Sequence, residues 1–360
     1  MTALLDLPPY DVDAAHKTPL LQAALGELTQ HHYQQCQAFK QLINGQWPQF
    51  NADNAPSIGD LPFVNVRLFK ELRLQSIGDD EVFKVLQSSG TTGKPSKIML
   101  DSAAAALQSR TLVKIMQHWL GKQRLPMLIL DHPSVIKDRR NFSARGAGIQ
   151  GLSFLGRNHC YALKDDMSLD IEAISEFCDK FADTPVLLFG FTFMVWQFVV
   201  QQLAHQQQRF QLPQGILIHS GGWKKLADQA VDNFNFKQGV LTTLGVSRVH
   251  NFYGMVEQVG AIFVECEHGH LHCPSYADIL IRRPGSWQLA DKGEIGVLQL
   301  LSALPRSYPG HSILAEDRGR WLGDDDCPCG RMGRYFEVLG RLPKAEVRGC
   351  SDTFGQGGNL

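Results

Sequence analysis

The chain of 360 residues lacks the compositional extremes that mark special classes of protein. No charge of one sign dominates, because 35 Lys and Arg face 36 Asp and Glu, which leaves a net charge of −1. This balance argues against a basic nucleic-acid platform and a polybasic membrane binder. The 33 glycines and 17 prolines are close to ordinary usage, which excludes a collagen-like or linker-dominated chain. Eight cysteines do not make a disulfide scaffold at this length, while 44% hydrophobic residues suffice for a sizeable core.

Long apolar runs are also scarce. The first residues lack the basic start and apolar stretch of a secretory signal. The best membrane candidate, Val186–Val200, is shorter than the roughly 18–20 residues that a spanning helix needs, and Gly190, Thr192 and Gln197 interrupt it. We interpret it as a buried strand that turns at Gly190 into a buried helix. The sequence therefore predicts a cytoplasmic protein with reduced thiols and no transmembrane segment.

Strand-like and helix-like segments alternate in the first two thirds of the chain, which is typical of parallel βαβ units and predicts an α/β fold. After about residue 247, short strands separated by Gly and Pro predict a mixed or antiparallel β region. We predict an α/β core over 1–246, the mixed β region over 247–340 and a short mobile tail over 341–360. Helices are predicted at 11–45, 102–122, 168–182, 191–208 and 224–235, and strands at 126–130, 186–190 and 215–219, with strand–loop–strand over 82–100.

The strongest chemical signal is the loop at 88–97, SSGTTGKPSK. Gly90 and Gly93 let the backbone approach an anion closely, and the hydroxyls and amide N–H groups can surround phosphate oxygens. Lys94 and Lys97 add positive charge. The spacing is not that of a Walker loop, and composition alone also fits an ordinary flexible hairpin loop.

The order of residues in this loop resembles the phosphate loop of the adenylate-forming superfamily, which makes acyl-adenylates from carboxylic acids and ATP. The resemblance implies ATP with Mg²⁺ as cofactors, with the loop at the β- and γ-phosphates. It implies that Lys97 neutralises developing charge and that Thr91 helps to hold Mg²⁺. The nucleotide-binding residues implied in the loop are Ser88, Ser89, Gly90, Thr91, Thr92, Gly93 and Lys94.

Two further segments follow in the order of that superfamily. SGGWK at 220–224 resembles the segment that passes beside the adenine. NFYGMVE at 251–257 resembles its Y-G-x-x-E motif, in which the tyrosine packs on the adenine and the glutamate supports Mg²⁺. Tyr253 and Glu257 occupy these two places, although each residue alone also fits a core aromatic and a surface acid. The nucleotide-binding residues implied here are Gly221, Gly222, Trp223, Asn251, Tyr253 and Gly254.

Asp317, within AEDRG, matches the aspartate that grips the ribose hydroxyls, and Gly340-Arg341 resembles the pair at the end of the large domain. The resemblance thus implies Asp317 and Arg341 as nucleotide-binding residues. Taken singly, Asp317 also fits a turn. Five pieces in family order over some 255 residues favour the superfamily over coincidence.

Within the superfamily, the chain resembles the short acyl-protein synthetases of bacterial luminescence operons (LuxE type). The resemblance rests on the loop at 88–96, GGWK at 221–224, SYP at 307–309 and the terminal Gly349-Cys350. The chain stops 19 residues after Arg341, so we expect no full C-terminal domain of the acyl–CoA ligase kind. In this family the acyl-AMP is passed to a cysteine near the C-terminus, and a fatty acid reductase consumes the resulting thioester.

This resemblance implies a fatty acid substrate and catalytic roles for Cys350, Lys97 and Glu257. A fatty acid reductase or another acyl-accepting protein is the implied partner. Two other interpretations stay open. One is an acyl- or aryl-CoA ligase-like enzyme that passes the acyl group to CoA or a carrier protein, and the other is a catalytically degenerate nucleotide-binding protein.

A second cluster combines CEHGHLHC at 266–273 with CPCG at 327–330. Thiolates plus imidazole from two loops suit a tetrahedral structural Zn²⁺ site. A metal-free pair of β-turns is the alternative. The predicted ligands are Cys266, His272, Cys327 and Cys329, with His268, His270 and Cys273 as substitutes.

Two smaller expectations concern apolar and imidazole side chains. The aromatic stretch Phe189–Phe198 could line an acyl pocket, although an apolar stripe of this kind is more often plain core. Most histidines outside 268–272 are expected at the surface.

Overall fold

The computed structural model describes residues 2–51, 56–88, 94–136, 144–223 and 230–342. The chain divides into two compact units, the first built from the described residues of Met1–His118 and Gly254–Glu346, the second from those of Trp119–Tyr253. The predicted segments 1–246 and 247–340 divide the chain along its sequence, whereas these units group residues by proximity in space. The segment division stays a prediction.

Strands and helices are labelled in chain order. The strands are β1 (Val64–Asn65), β2 (Lys84–Gln87), β3 (Lys97–Leu100), β4 (Leu125–Ile129), β5 (Gly156–Tyr161), β6 (Val186–Phe191), β7 (Gly215–Ser220), β8 (Arg248–Tyr253), β9 (Phe263–Glu265), β10 (Leu271–His272), β11 (Ala277–Arg282), β12 (Gly296–Ser302), β13 (Ser312–Asp324) and β14 (Arg334–Arg341). The helices are α1 (Thr2–Asp6), α2 (Ala14–Gln35), α3 (Gln37–Gln46), α4 (Leu68–Glu71), α5 (Ser102–Leu120), α6 (Ala144–Leu152), α7 (Ile171–Phe181), α8 (Thr192–Met194), α9 (Gln201–His205) and α10 (Asn233–Leu244). A π-helix (Val195–Val200) joins α8 to α9, and 3₁₀ turns lie at Ile58–Asp60, Asp79–Glu81, Pro133–Ile136, Ser153–Leu155 and Val256–Gln258.

The second unit is built on a parallel sheet in the order β5-β4-β6-β7-β8. Every residue of β4 and β6 is buried, as expected of parallel strands whose two faces are both covered. The parallel βαβ prediction is therefore confirmed, and the predicted strands at 126–130, 186–190 and 215–219 match β4, β6 and β7 to within two residues. The aromatic stretch Phe189–Phe198 is mostly core, since Phe189, Phe193 and Met194 are all buried.

The predicted turn at Gly190 is wrong, because β6 continues through Gly190 to Phe191 and the helix begins at Thr192. A Cβ atom at Gly190 would lie 2.8 Å from Cγ2 of Val195 and 2.9 Å from Cβ of Leu130. Close packing inside the unit, rather than backbone freedom, therefore requires glycine here.

The predicted helix at 224–235 is only partly testable, since 224–229 lie outside the described residues. A helix does occupy the following segment, but it begins at Asn233 and ends at Leu244. The side chain of Asp232 accepts a hydrogen bond from the Asn235 backbone N–H, which marks the true N-terminus.

The first unit contains an antiparallel sheet in the order β11-β12-β13-β14-β10-β9, with β1 added parallel to β13. This confirms the expected strand-rich texture after residue 247. The predicted helix at 11–45 is two helices, since Cys36 has an extended backbone (φ −116°, ψ 102°) between α2 and α3. Residues from α3, β3 and β13, including Phe39, Ile98 and Ile313, share one apolar core in this unit.

The expectation that most histidines outside 268–272 lie at the surface is wrong. Buried histidines in this set are His32, His132, His219, His250 and His311. A buried imidazole is tolerated when its ring nitrogens have hydrogen-bond partners. For example, His32 Nδ1 lies 2.8 Å from Ser76 Oγ. Burial lowers the pKa of His219 and of His311 to about 3, so both rings are neutral near pH 7.

Across the described ranges, the helices are all too short or too polar to cross a lipid bilayer.

Candidate active site and metal centre

The base of the predicted phosphate loop is closed by two hydrogen bonds. β2 and β3 pair antiparallel, with Gln87 opposite Lys97. Beyond this pair, the Ser88 N–H donates to the Ser96 carbonyl (3.1 Å), and the Ser96 N–H donates to Ser88 Oγ (2.8 Å). Lys94 and Lys97 are exposed. Ser89, Gly90, Thr91, Thr92 and Gly93 lie outside the described residues.

Glu257 lies in the 3₁₀ turn Val256–Gln258 and is buried, with 4% of its surface exposed. Its Oε1 accepts a hydrogen bond from Ser96 Oγ at 2.6 Å. The structure therefore connects the predicted Mg²⁺ carboxylate to the closing residue of the loop. The sequence places Ser96 within the loop at 88–97 but gives it no role of its own.

The side chains of Gln258 and Tyr308 support the turn at Glu257. Gln258 Nε2 donates to the carbonyls of Leu300 and Gly310, both at 3.1 Å. Tyr308 Oη accepts a hydrogen bond from the Val259 N–H at 3.1 Å. Tyr308 belongs to the SYP segment of the family resemblance, so that segment could have signalled a supporting role.

Gly254 precedes this turn in a tight space. A Cβ atom there would lie 3.0 Å from Cγ2 of Ile262.

Asp317 and Arg341 lie opposite each other on β13 and β14. Arg341 Nε lies 3.8 Å from Asp317 Oδ1, which makes an ion pair between the last residue of β14 and its partner on β13. The neighbouring Glu316 pairs instead with Arg67. The structure thus brings together two residues that the resemblance assigns to the nucleotide.

In the second unit, Gly221, Trp223, Asn251 and Tyr253 lie at or next to the ends of two adjacent parallel strands. Strands β7 and β8 pair with His219 opposite Asn251. The carboxyl edge of an open parallel sheet is where such folds bind ligands.

Thr192, which the sequence did not single out, fixes the start of the 221–223 segment. Its Oγ1 donates to the Gly221 carbonyl at 2.6 Å. Gly221 has φ +83°, a conformation that favours glycine, and a Cβ there would approach the Phe191 ring to 3.1 Å. Gly222 has open space around it, and the Trp223 ring lies 6.3 Å from the Trp196 ring, measured between centroids.

The four predicted zinc ligands meet in the first unit. One donor atom from each of Cys266, His272, Cys327 and Cys329 lies within 4.8 Å of the other three. The pairing of β10 with β9 and with β14 brings the two loops together. The distances are 3.9 Å between the sulfurs of Cys266 and Cys327 and 3.3 Å between Cys329 Sγ and His272 Nε2.

Two tight turns present the sulfurs. The Gly269 N–H donates to the Cys266 carbonyl, and the Gly330 N–H donates to the Cys327 carbonyl, both at 3.0 Å. Both glycines have positive φ, at +81° and +78°, which other residues rarely adopt. This is why glycine follows each cysteine at this spacing.

The substitute ligands differ in position. His270 Nδ1 lies 3.4 Å from Cys327 Sγ, at the margin of the cluster. Cys273 is buried, but its thiol is not among the four clustered donors. His268 is exposed, and the described geometry does not include it in the cluster.

The ionisation of the cluster follows from burial and from Arg331. Burial lowers the pKa of His272 to about 3, so its imidazole is neutral and can act as a ligand. Burial raises the pKa of the Cys266 thiol and that of Cys327, the latter to about 12. Burial also opposes ionisation of Cys329, but hydrogen bonds from Arg331 outweigh it and lower the pKa of that thiol. Three thiols and one neutral imidazole form the donor set that tetrahedral zinc prefers.

The proposed acyl acceptor Cys350 lies outside the described residues, as do Lys344 and Arg348.

Comparison with solved structures identifies the fold. A 2-hydroxyisobutyryl-CoA ligase in an open conformation, with 2-HIB-AMP and CoA, matches with a TM-score of 0.66 at 14% identity, covering 92% of this chain and 76% of that one. The same ligase in its postadenylation state, with 2-HIB-AMP, matches with a TM-score of 0.67 over 92% and 69% of the two chains. The fold is therefore that of the adenylate-forming ligases.

The particular family follows from the sequence comparison. A family model described as acyl-protein synthetase, LuxE, matches residues 2–357. The chain belongs to the LuxE family of acyl-protein synthetases and is a ligase.

Two curated relatives are also named as ligases. The long-chain-fatty-acid–luciferin-component ligase of Aliivibrio fischeri is 23% identical over 312 residues, 84% of this chain and 80% of the relative. Its namesake in Vibrio harveyi is 22% identical over 311 residues, 83% of this chain and 78% of the relative.

Proposed function

We propose that this protein activates a long-chain fatty acid with ATP as acyl-AMP and then transfers the acyl group to its own Cys350. The single observation that carries the proposal is the match to the acyl-protein synthetase family over residues 2–357. The relatives named for long-chain fatty acids support the substrate class. An acyl reductase or another acyl-accepting protein would take the thioester onward.

In the first step, a carboxylate oxygen of the fatty acid attacks the α-phosphorus of ATP. The bond from that phosphorus to the bridging oxygen breaks, and pyrophosphate leaves. Ser88, Lys94 and the intervening loop orient the phosphates, while Lys97 neutralises developing negative charge. Asp317 and Arg341 hold the ribose end of the nucleotide.

Glu257 and Thr91 would hold Mg²⁺, which supplies positive charge next to the phosphate oxygens when bound. The buried carboxylate of Glu257 is a hard oxygen donor of the kind that Mg²⁺ prefers, and this fit supports the assignment. Gly221, Gly222, Trp223, Asn251, Tyr253 and Gly254 complete the proposed nucleotide contacts.

In the second step, the Cys350 thiol loses its proton to solvent, and the sulfur attacks the acyl carbon. The bond between that carbon and the phosphate oxygen breaks, so AMP leaves and a thioester forms. Lys344 and Arg348, close in sequence, would favour the thiolate.

We further propose that Cys266, His272, Cys327 and Cys329 hold a structural Zn²⁺. The donor set supports this assignment, because three sulfurs and an imidazole nitrogen converge within 4.8 Å. Thiols whose pKa burial has raised stay protonated without a metal, and zinc would displace those protons. The ion would tie the loop after β9 to the loop between β13 and β14.

The test follows the two steps separately. Fatty-acid-dependent exchange of labelled pyrophosphate into ATP reports adenylation, and a hydroxylamine-sensitive acyl label on the protein reports transfer. The Cys350→Ser variant should retain exchange and lose the label, whereas Cys160→Ser, a half-buried thiol in the second unit, should keep both.

Three outcomes would contradict the proposal. An acyl label on the Cys350→Ser variant would show that another residue accepts the acyl group. Fatty acyl-CoA formation without protein label would favour the CoA ligase alternative. Absence of acid-dependent exchange would favour a degenerate nucleotide-binding protein.

A further inference from the structure

Ser96 makes three hydrogen bonds from one buried position, where none of its surface is exposed. Its N–H donates to Ser88 Oγ and its carbonyl accepts from the Ser88 N–H, which closes the loop. Its hydroxyl is left for a third bond, and that bond goes to Glu257, 161 residues further along the chain.

The contact between Ser96 and Glu257 is short and shielded from water. At 2.6 Å, it lies at the short end of the range for O–H···O hydrogen bonds. Only 4% of the Glu257 surface is exposed, so bulk water competes little for Oε1.

The backbone at Glu257 is already held, because Gln258 and Tyr308 bind the turn on its C-terminal side. The remaining freedom of Glu257 lies in its side-chain torsions. The Ser96 hydroxyl restricts those torsions by engaging one of the two carboxylate oxygens.

We propose that Ser96 is a positioning residue that aims the Glu257 carboxylate at the magnesium ion of bound ATP. This inference rests on the proposed function. Ser96 belongs both to the base of the phosphate loop and to the carboxylate contact. It therefore keeps the loop that holds the phosphates in register with the oxygen that holds their metal ion.

The expected effect is on metal affinity more than on folding. Residues that hydrogen-bond to a metal-ligating side chain without contacting the metal themselves typically contribute about 10- to 100-fold to metal affinity. Removal of the hydroxyl should leave the Glu257 side chain to be ordered when the ion binds. Threonine retains the hydroxyl and should rescue binding, whereas alanine should not.

The experiment measures binding without turnover. Mn²⁺ serves as the probe, its binding is followed by electron paramagnetic resonance, and α,β-methylene-ATP serves as the nucleotide because it cannot release pyrophosphate. We expect Ser96→Ala to weaken Mn²⁺ binding in the ternary complex by about tenfold or more and Ser96→Thr to stay within about twofold of the unmodified protein. Thermal unfolding of each variant checks that the fold is intact.

A double-mutant cycle with Glu257→Gln isolates the contact. If Ser96 acts through Glu257, Ser96→Ala should change Mn²⁺ affinity little in the Glu257→Gln background. An equal loss in both backgrounds would overturn the inference, and so would unchanged affinity in Ser96→Ala.

Failure of the inference and failure of the proposed function give different results. If the unmodified protein binds Mn²⁺ with the nucleotide but Ser96→Ala does so equally well, only the positioning role is wrong. If the unmodified protein does not bind the metal–nucleotide complex at all, the proposed function itself is contradicted.

Discussion

Arg341 Nε lies 3.8 Å from Asp317 Oδ1, across the register pair that joins β13 to β14. A second cross-strand ion pair, between Arg320 and Glu337, lies on the same two strands. Only the first pair is implied in nucleotide binding by the family resemblance. The two pairs therefore form a matched comparison between a proposed ligand contact and a structural contact.

Asp317→Asn should abolish discrimination between ATP and its deoxyribose analogues. If Asp317 accepts hydrogen bonds from the ribose hydroxyls, the unmodified protein should bind ATP about tenfold or more tighter than 2′,3′-dideoxy-ATP, and the variant should bind both alike. Calorimetric titration of both nucleotides measures this. Glu337→Gln should retain the preference for ATP, and retention of that preference in Asp317→Asn would contradict the assignment.

Cys327→Ser should lower the zinc content of the purified protein. Purified protein should carry about one equivalent of zinc by plasma mass spectrometry, since four donors satisfy one tetrahedral ion. The variant should carry far less and should unfold at a lower temperature, because the ion stabilises only the folded chain. Cys273→Ala removes a nearby buried thiol outside the cluster and should keep the zinc. Unmodified protein devoid of zinc after growth with added zinc would refute the site.

Buried His219 should make the protein less stable as the pH falls. Burial lowers its pKa to about 3, whereas in the unfolded chain it titrates near 6.5. The unfolded state therefore binds more protons between these values. The stability contributed by neutral His219 is complete above about pH 6.5 and is lost progressively toward pH 3, by about 2 kcal/mol at pH 5.

Denaturant unfolding at several pH values measures this contribution. His219→Asn should make the pH dependence of the unfolding free energy between pH 4 and 6 less steep by the contribution of one histidine, while buried His311, whose pKa is also lowered to about 3, keeps its own contribution. His205→Gln, which alters an exposed imidazole at the end of α9, should keep the slope of the unmodified protein. An unchanged slope in His219→Asn would show that His219 does not carry the effect.

Gly190→Ala should destabilise the second unit by about 1–3 kcal/mol. The added methyl group would lie within 2.9 Å of both Val195 and Leu130, inside close-packed core. Gly151→Ala places a methyl group in α6 where nothing lies within 4 Å, so helix propensity should make it neutral or slightly stabilising. Thermal unfolding compares the two, and equal effects would show that packing at Gly190 is looser than described.

The alternation of apolar strands and helices in the sequence predicts the parallel sheet, because buried parallel strands such as β4 and β6 are continuous apolar runs. The start of α10 at Asn233 does not follow from the sequence pattern. Its N-cap, Asp232, follows a segment whose own composition is helix-like, so local preference did not mark the boundary. Five buried histidines were likewise unexpected, since a histidine is buried or exposed according to the partners that the fold brings to it.

By itself, the sequence determined the class of fold and the order of the adenylation motifs, because apolar periodicity and the glycine, hydroxyl and lysine pattern of the loop at 88–97 are local properties. The sequence by itself also shows the cysteine and histidine donors at 266–273 and 327–330. Only the tertiary structure decided that Cys266, His272, Cys327 and Cys329 converge and that Ser96 binds Glu257. The contacts between Cys329 and His272, between Cys266 and Cys327 and between Ser96 and Glu257 span 57, 61 and 161 positions of the chain. Strand pairing and core packing, rather than neighbouring residues, determine which of these residues meet.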